Sequence, residues 1–300
     1  MLRMIGVVTA CLLAAPMVWS QGDKDKQEPK KEQPPDKLTI AWHGQSFFSV
    51  KSSKGTLFVF DPHNITEYGP VAPMRPDVIM MSHHHNDHTQ VGIFPNSNEK
   101  GDKAPKIIDG LIRGESGRDT WNIVDLQVKD LHIKSVGAFH DEVKGLKHGL
   151  ITMFVVEVDG WRICHLGDLG HELSAKQLKD LGPLDVIMVP CGGIYGLNGT
   201  DAQRVVDQIK PKQYIFPMHI GTTHYGDLLP VYEFIDDSPY PCAIVRDGVL
   251  MYSQKARNNV AWLKENGRDA DNKLVLEKHE QKKAVIVNLH YWPRATKKKT

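Results

Sequence analysis

Residues 77–88 read DVIMMSHHHNDH, an apolar run that ends abruptly in four histidines and one aspartate. The apolar run predicts a buried β-strand, and the histidines then lie on the loop at its end, where α/β scaffolds present side chains to ligands. In an extended loop alternate residues point the same way, so His83 and His85 can address one metal ion. Asp87 and His88 can address a neighbouring ion as the loop turns. His84 breaks the alternation and is expected to point away, with at most a supporting role.

Composition excludes few classes of function. The chain has 300 residues, of which 41% are hydrophobic, so it can form one large α/β domain or two small ones. It carries 37 basic and 36 acidic residues, a formal net charge of +1. This balance does not indicate a nucleic-acid partner or an anionic membrane, and a small-molecule substrate is the default expectation.

The N-terminal region is typical of an exported protein. Residues 1–20 combine Arg3, an apolar run and a terminal Ser20, which is the layout of a signal peptide. Residues 21–37 contain no apolar residue apart from proline and are predicted to be a disordered tether. We expect cleavage near Ser20 and a periplasmic or secreted protein without a membrane span; an uncleaved anchor is the alternative.

Strand-like runs begin near Leu38 and recur to about residue 252. Asp159-Gly160 predicts a two-residue hairpin turn between two of them, and two helix signatures among the later runs open at the N-cap residues Ser174 and Thr200. Early hairpins followed by strand–helix alternation predict a mixed α/β sandwich over residues 38–255. Residues 256–300 are predicted to be a basic C-terminal extension, in which the island AVIVNLHYW (284–292) could pair as an extra edge strand. Truncation after Gln254 is therefore predicted to leave metal binding intact. The sequence does not indicate an oligomeric state.

Three further polar residues each follow a strand-like run: His140, Asp168 and His219. Each taken alone would more often be structural. Two adjacent ions need more ligands than the loop at residues 83–88 provides, and these three residues would complete both sets.

Seven blocks of sequence, in order, resemble the metallo-β-lactamase fold superfamily of metal-dependent hydrolases. They are AWHGQSFF, LFVFDPH, SHHHNDH, FHDE, DGWRICHLGDLGHEL, LGPLDVIMVPCGGIY and FPMHIGT. The similarity covers about residues 38–255 and is greatest to the lactonase-like branch that includes ascorbate-phosphate lactonases. It implies a single-domain, four-layer αββα sandwich.

The resemblance also implies a ligand set for two ions. One ion is held by His83, His85 and His140, and the second by Asp87, His88 and His219, with Asp168 bridging the two. Asp61, which closes the block LFVFD, is implied to support the histidine loop from behind. Zn²⁺ is the expected metal, with Mn²⁺ or Fe²⁺ as alternatives.

These residues predict hydrolysis by a hydroxide held between two divalent ions, with Asp87 orienting the water or accepting its proton. A small ester, lactone, amide or phosphodiester would fit. One alternative is a mononuclear iron-dependent redox enzyme of the dioxygenase type, since imidazole also suits iron. Another is a nuclease-type phosphodiesterase, although only 50 residues separate Asp168 from His219 and leave no room for an inserted domain. No nucleic-acid partner is expected.

Substrate recognition is the least determined part of the prediction. Tyr195, His171 and His224 lie beside the blocks that carry the candidate ligands, so we expect them to shape the pocket. The segment around His148 departs from the pattern of the lactonase-like branch, so the sequence does not assign its role in recognition.

Overall fold

The computed structural model describes residues 38–115, 117–222, 225–236, 238–246, 249–252, 274–275 and 283–289. All of them lie in one compact unit. The predicted signal peptide and tether, the pocket candidate His224 and most of the predicted extension lie outside the described residues.

The described part of the chain is mostly β-structure. In chain order the strands are β1 (Thr39–Trp42), β2 (Phe48–Lys51), β3 (Leu57–Phe60), β4 (Val78–Met81), β5 (Lys106–Asp109), β6 (Leu111–Arg113), β7 (Asp119–Trp121), β8 (Asp125–Val128), β9 (Leu131–Phe139), β10 (Leu150–Val158), β11 (Trp161–His165), β12 (Val186–Pro190), β13 (Tyr214–Met218), β14 (Cys242–Arg246), β15 (Val249–Tyr252), β16 (Leu274–Val275) and β17 (Val285–Leu289). They form a six-stranded sheet in the order β16-β1-β2-β3-β4-β5 and a nine-stranded sheet in the order β15-β14-β17-β13-β12-β11-β10-β9-β8. β6 and β7 form a separate hairpin.

The turn between β10 and β11 follows directly from its sequence. Asp159 and Gly160 both have positive φ, 51° and 73°. Val158 pairs with Trp161 across this turn, so two residues connect the strands in the conformation that suits their right-handed twist. The predicted Asp-Gly hairpin at residues 159–160 is confirmed.

Three α-helices are described: α1 (Ala175–Leu181), α2 (Gly199–Ile209) and α3 (Tyr232–Asp236). Ser174 caps α1 as predicted, and its hydroxyl and the Gln177 side chain form a reciprocal capping box. The predicted cap of α2 was Thr200, whereas the Asn198 side chain accepts the hydrogen bond from the Asp201 amide. The asparagine two residues earlier is also a good cap, so α2 begins sooner.

The layers match the predicted metallo-β-lactamase-like sandwich. One large apolar cluster joins the two sheets and includes Phe58, Met80 and Phe154. The alternate residues Val59 and Ile79 face the other way and pack with residues of the loops between the strands. Over this outer face of the six-stranded sheet the described helical segments are short 3-10 turns such as Val91–Ile93. No helix in the described ranges has the length and apolar character needed to cross a bilayer.

Strand β17 corrects the predicted C-terminal boundary. It pairs in parallel with β13 on one side and with β14 on the other, so it lies inside the nine-stranded sheet rather than at an edge. All five of its residues are buried. β16 likewise pairs with β1. The domain thus extends past residue 255. The sequence prediction placed the apolar island in an extension because it lies far from the other strands along the chain, whereas its position in the sheet is decided by long-range strand pairing.

Candidate metal centre

The candidate site lies at one edge shared by the two sheets. β3, β4 and β5 form a parallel ladder, and β11, β12 and β13 form another. The carboxyl ends of parallel strands meet at the same edge of a sheet, which is where open α/β sheets bind ligands. Asp61 follows β3, the histidine loop follows β4 and His219 follows β13. The fold therefore brings together side chains that are far apart in sequence.

The first group of donors consists of His83, His85 and His140. One ring nitrogen from each lies within 4.8 Å of the others. The ring of His83 is 4.5 Å from that of His85 and 4.9 Å from that of His140. His83 and His140 are buried, whereas His85 is exposed, so the group is open on one side.

The second group consists of Asp87, His88 and His219, whose candidate donor atoms also lie within 4.8 Å of one another. Asp87 and His88 belong to the short 3-10 turn Asn86–His88. His219 has a positive φ of 50°, and its backbone amide donates to the Gln45 carbonyl at 3.1 Å. This contact ties the end of β13 to the loop between β1 and β2.

Asp168 lies between the two groups. Its Oδ2 is 3.0 Å from His88 Nε2 and 3.1 Å from His219 Nε2, both of the second group. The same oxygen is 3.6 Å from His140 Nε2 and 3.9 Å from His83 Nε2, both of the first group. Its other oxygen accepts a hydrogen bond from Ser46 Oγ at 3.0 Å. One carboxylate oxygen thus faces imidazoles of both groups.

The unsatisfied polar atoms fit a cation site. Nε2 of His83 and Nε2 of His140 are buried and have no hydrogen-bond partner. Buried nitrogens normally have one, so this donor set is suited to a metal ion. Within the described ranges Asp61 and Asp168 pair only with histidines and with no lysine or arginine. Buried carboxylates without such partners are costly unless a cation lies nearby.

The protonation of the site is governed by burial and by these carboxylates. Burial lowers the pKa of His83 well below its usual range and lowers that of His140 to about 4. Burial also disfavours a charged His88, but the carboxylates of Asp168 and Asp61 outweigh it and raise the pKa of His88. Burial would raise the pKa of Asp168, yet the charges of His219 and His88 hold it well below its usual range. Positive charge is therefore drawn to the point between the two carboxylates.

Asp61 contacts the histidine loop from behind. Its Oδ2 accepts from His88 Nδ1 at 3.0 Å and from Ser82 Oγ at 2.6 Å, and its Oδ1 accepts from the Ser82 amide at 2.6 Å. Ser82 Oγ also lies 2.9 Å from His83 Nδ1. Because an ionised carboxylate only accepts hydrogen bonds, Nδ1 of His88 carries a proton, and Nε2, which faces Asp168, is the nitrogen left to bind a metal ion.

His84 points away from both groups. Its Nδ1 is 2.9 Å from Asp119 Oδ2, and its Nε2 is 2.9 Å from Asp109 Oδ2. Burial lowers its pKa, but these two carboxylates outweigh the effect and the net pKa is raised. His84 thus connects the loop to β5 and β7.

Sequence reasoning missed three residues that hold the site. Gln45 Nε2 donates to Asp87 Oδ2 at 3.0 Å, and Ser46 contacts Asp168 as described above. His165, at the end of β11, stacks on Phe60 with an interplanar angle of 8°. Its Nε2 lies 2.8 Å from the Ser46 carbonyl oxygen. The sequence feature that could have identified His165 is its position inside the apolar run RICHL, where a polar ring needs a specific partner.

Two of the three pocket candidates are described. The ring of Tyr195 lies 6.0 Å from that of His148, which in turn lies 5.3 Å from the ring of His140. His171 uses Nε2 to accept the Phe139 amide at 3.1 Å and Nδ1 to donate to the Glu172 carbonyl at 2.6 Å. It borders a separate cavity of about 950 Å³ beside α1. Both ring nitrogens of His171 are thus already engaged.

The chain is similar to known metal-dependent hydrolases. Residues 39–219 match the model of the β-lactamase superfamily domain. A UPF0173 metal-dependent hydrolase of Carboxydothermus hydrogenoformans is 30% identical in an alignment of length 206 that covers 62% of this chain and 85% of that protein. A UPF0173 metal-dependent hydrolase of Thermoplasma acidophilum is 29% identical in an alignment of length 196 that also covers 62% of this chain and 85% of the relative.

A similar solved structure comes from Thermotoga maritima and is assigned to the zinc-dependent hydrolases of the metallo-β-lactamase superfamily. It is 26% identical, with a TM-score of 0.55, and the match covers 84% of this chain and all of that one. The chain therefore belongs to the metallo-β-lactamase superfamily. Like the relatives that carry this name, it is a metal-dependent hydrolase.

Proposed function

We propose that this protein hydrolyses a small ester, lactone, amide or phosphodiester at a centre of two divalent ions. His83, His85 and His140 would hold one ion and Asp87, His88 and His219 the other. The observation that carries this proposal is Asp168, whose Oδ2 lies within 3.9 Å of Nε2 of four histidines, two from each group. A carboxylate so placed can offset the repulsion between two neighbouring cations.

Zn²⁺ is the proposed metal, since imidazole and carboxylate donors suit it, and Mn²⁺ or Fe²⁺ would also fit. Such ions lower the pKa of a water molecule and polarise the bond under attack. Membership of the lactonase-like branch remains a prediction.

The side chains of this chain have separate tasks in the proposed reaction. Asp61 fixes the tautomer of His88 and orients it, and through Ser82 it also orients His83. Ser46 keeps one Asp168 oxygen occupied, which turns the other towards the histidines. The donors are thus held in place before any ion or substrate arrives.

Asp87 is the proposed proton acceptor. Its side chain is 31% exposed, whereas those of Asp61 and Asp168 are almost fully buried, so Asp87 is the carboxylate that substrate and water can reach. Gln45 holds one of its oxygens by a hydrogen bond at 3.0 Å. A carboxylate held on the open side of the centre can orient a water molecule or take its proton.

Metal content of variants tests the two-ion proposal. We expect Asp168→Ala to lose both ions and all hydrolysis, because it removes the one carboxylate that faces both groups. His219→Ala should mainly weaken the second site and leave one ion per chain. Elemental analysis after identical dialysis, with thermal midpoints to confirm folding, measures both. An Asp168→Ala protein that is less stable yet retains two ions would show that Asp168 only caps the end of β11.

The two alternatives lead to different measurements on the same preparation. A mononuclear iron enzyme would contain one iron per chain and consume oxygen with substrate. A nuclease would cleave RNA or DNA faster than small phosphodiesters. Neither alternative has a specific contact in its favour among the described residues, so a panel of small lactones, esters and phosphodiesters is the first assay.

A further inference from the structure

The loops around the candidate metal centre expose large apolar side chains. In the described part of the chain, Leu146 is 86% exposed, Ile194 57%, Tyr195 48% and Leu229 45%. These four residues, called here the apolar rim, lie on the loops that follow β9, β12 and β13. His140 directly follows β9 and His219 directly follows β13, so two of these loops begin at candidate ligands.

The three loops meet beside the first group of donors. The ring of His148, two residues after Leu146, lies 5.3 Å from His140 and 6.0 Å from Tyr195. The Leu229 amide donates to the Gly192 carbonyl at 2.8 Å. A Cβ placed on Gly193 would lie 3.0 Å from Leu229 Cδ1, so glycine permits this close approach. The rim thus adjoins the candidate centre.

The loop that carries Leu146 is rigid rather than a loose surface segment. The Asp141 carboxylate accepts hydrogen bonds at 2.8–2.9 Å from four backbone amides, those of Val143, Gly145, Lys147 and His148. Such a carboxylate fixes the path of the loop, so the backbone at Leu146 is ordered while its side chain is exposed to solvent. Burial of Leu146 by a ligand would cost little further ordering.

Ile194 is strained as well as exposed. Its φ of 59° lies in the left-handed region, where β-branched residues are genuine outliers. Packing cannot explain the choice of isoleucine, because more than half of the side chain is in contact with solvent. Backbone strain of this kind is concentrated at binding and active sites. An apolar ligand that covers Ile194 gives the side chain a role.

In their described residues these loops direct no lysine or arginine side chain to the site. Lys147 forms an ion pair with Glu142, and Lys144 borders the separate cavity beside α1. Residues 192–197 and 225–230 contain neither lysine nor arginine. A phosphate monoester or another anionic group would therefore find no counter-charge on the rim.

We propose that the substrate carries an uncharged alkyl or aryl group next to the hydrolysed bond, and that the apolar rim binds this group. The inference rests on the proposed hydrolysis and narrows its substrate class. Apolar surface removed from water is the driving force, so each added methylene on the substrate should strengthen binding in the transition state.

A series of aryl esters from acetate to octanoate, with the metal-loaded protein, provides the first measurement. We expect kcat/KM to rise about fourfold for each added pair of methylenes, which corresponds to half-burial of each one. Leu146→Ser should reduce this factor to about twofold or less, so that its loss of kcat/KM grows steadily from the acetate to the octanoate ester. Ile194→Gly should reduce it likewise with an unchanged or higher thermal midpoint, because glycine relieves the left-handed strain. Ile123→Ser is the matched control, since Ile123 is 63% exposed but borders the cavity beside α1.

Binding of alkyl hydroxamates separates this inference from the proposed hydrolysis. Aceto-, hexano- and octanohydroxamate share one metal-chelating head and differ only in the chain, and calorimetry measures their affinity. Suppose that no ester is hydrolysed, but that hydroxamate affinity rises with chain length and Leu146→Ser abolishes this rise. The proposed hydrolysis would then be wrong, whereas the binding of apolar groups by the rim would be confirmed. Hydrolysis or binding that is independent of chain length overturns the inference.

The same variants also test the competing uses of such a surface. If Leu146→Ser changed only self-association in sedimentation or binding to lipid vesicles, with the chain-length dependence intact, the rim would be a contact surface and the substrate proposal would be wrong.

Discussion

Asp61 is the single residue on which the orientation of two histidines depends. It has a positive φ of 45°, a conformation that asparagine also tolerates. We predict that Asp61→Asn keeps the fold but lowers metal affinity about 10- to 100-fold. The new amide group would donate towards His88 Nδ1, which then has to accept, so the proton moves to Nε2, the atom that faces Asp168. Metal titration and the thermal midpoint of the same sample measure the two effects.

Asp61→Ala is the companion variant. It leaves the Ser82 amide and hydroxyl buried without their acceptor, and each unsatisfied group costs about 1–3 kcal/mol. We therefore expect Asp61→Ala to lose stability as well as metal. If Asp61→Asn bound metal as tightly as the natural protein, Asp61 would serve only the backbone turn.

His63, which is not a candidate ligand, gives the protein a pH-dependent stability. Burial lowers its pKa from near 6.5 to about 4, and its Nδ1 accepts the Ile65 amide at 3.1 Å. As the pH falls below 6.5 the unfolded chain binds this proton first, so the free energy of unfolding decreases down to about pH 4. We expect His63→Gln to reduce the stability lost between pH 7 and 4.5 by about 2 kcal/mol. Urea unfolding of both proteins measures the difference, and parallel curves would contradict the assignment.

At this scale the sequence predicts which residues meet but not what holds them. Histidines and aspartates at strand ends can be recognised as candidate metal ligands from their residue type alone, and the structure brings the predicted donors together. Gln45 and Ser46 cannot be recognised in this way, since amide and hydroxyl side chains are common in loops. Their contacts with Asp87 and Asp168 arise from the pairing of β1 with β2, which brings residue 46 to residue 168.

Among the elements, β17 is one whose loss should prevent folding. Truncation after Gln254 would expose the edges of β13 and β14 and remove five buried residues, of which each large apolar side chain contributes about 1.5–3 kcal/mol. We now expect this truncated protein to be insoluble or unfolded, contrary to the expectation from the sequence. Truncation after Trp292, which removes only the basic end, is the matched control. Circular dichroism and metal content of both decide, and a folded, metal-loaded protein ending at Gln254 would contradict the role of β17.

Elements built from local contacts were predictable, and those built from distant ones were not. The Asp159-Gly160 turn and the Ser174 cap depend on neighbours in sequence, and both match the sequence prediction. β17 pairs with β13 about 70 residues earlier, as Tyr214 with Val285, and no local pattern encodes that register. Asn198 was missed as a cap because Thr200, two residues later, offers a similar side chain.

For the whole molecule, the untested prediction is its compartment. The signal-like residues 1–20 and the polar residues 21–37 lead us to propose export with cleavage near Ser20. The mature protein should then begin near Gln21, and the intact mass of protein purified from its natural host measures this. A mass that includes Met1 would mean that the apolar run is retained, as in the anchored alternative.

The order of the strands carries a consequence for how the protein is made. β17 leaves the ribosome after both β13 and β14, yet it occupies the place between them. Until it arrives, the hairpin of β14 and β15 has no described partner in the nine-stranded sheet, and β13 has one free edge. Closure by so distant a strand is slow compared with local folding. During translation β13 can therefore pair with β12 and bring His219 to the Gln45 carbonyl, but the nine-stranded sheet closes only after β17 has been synthesised.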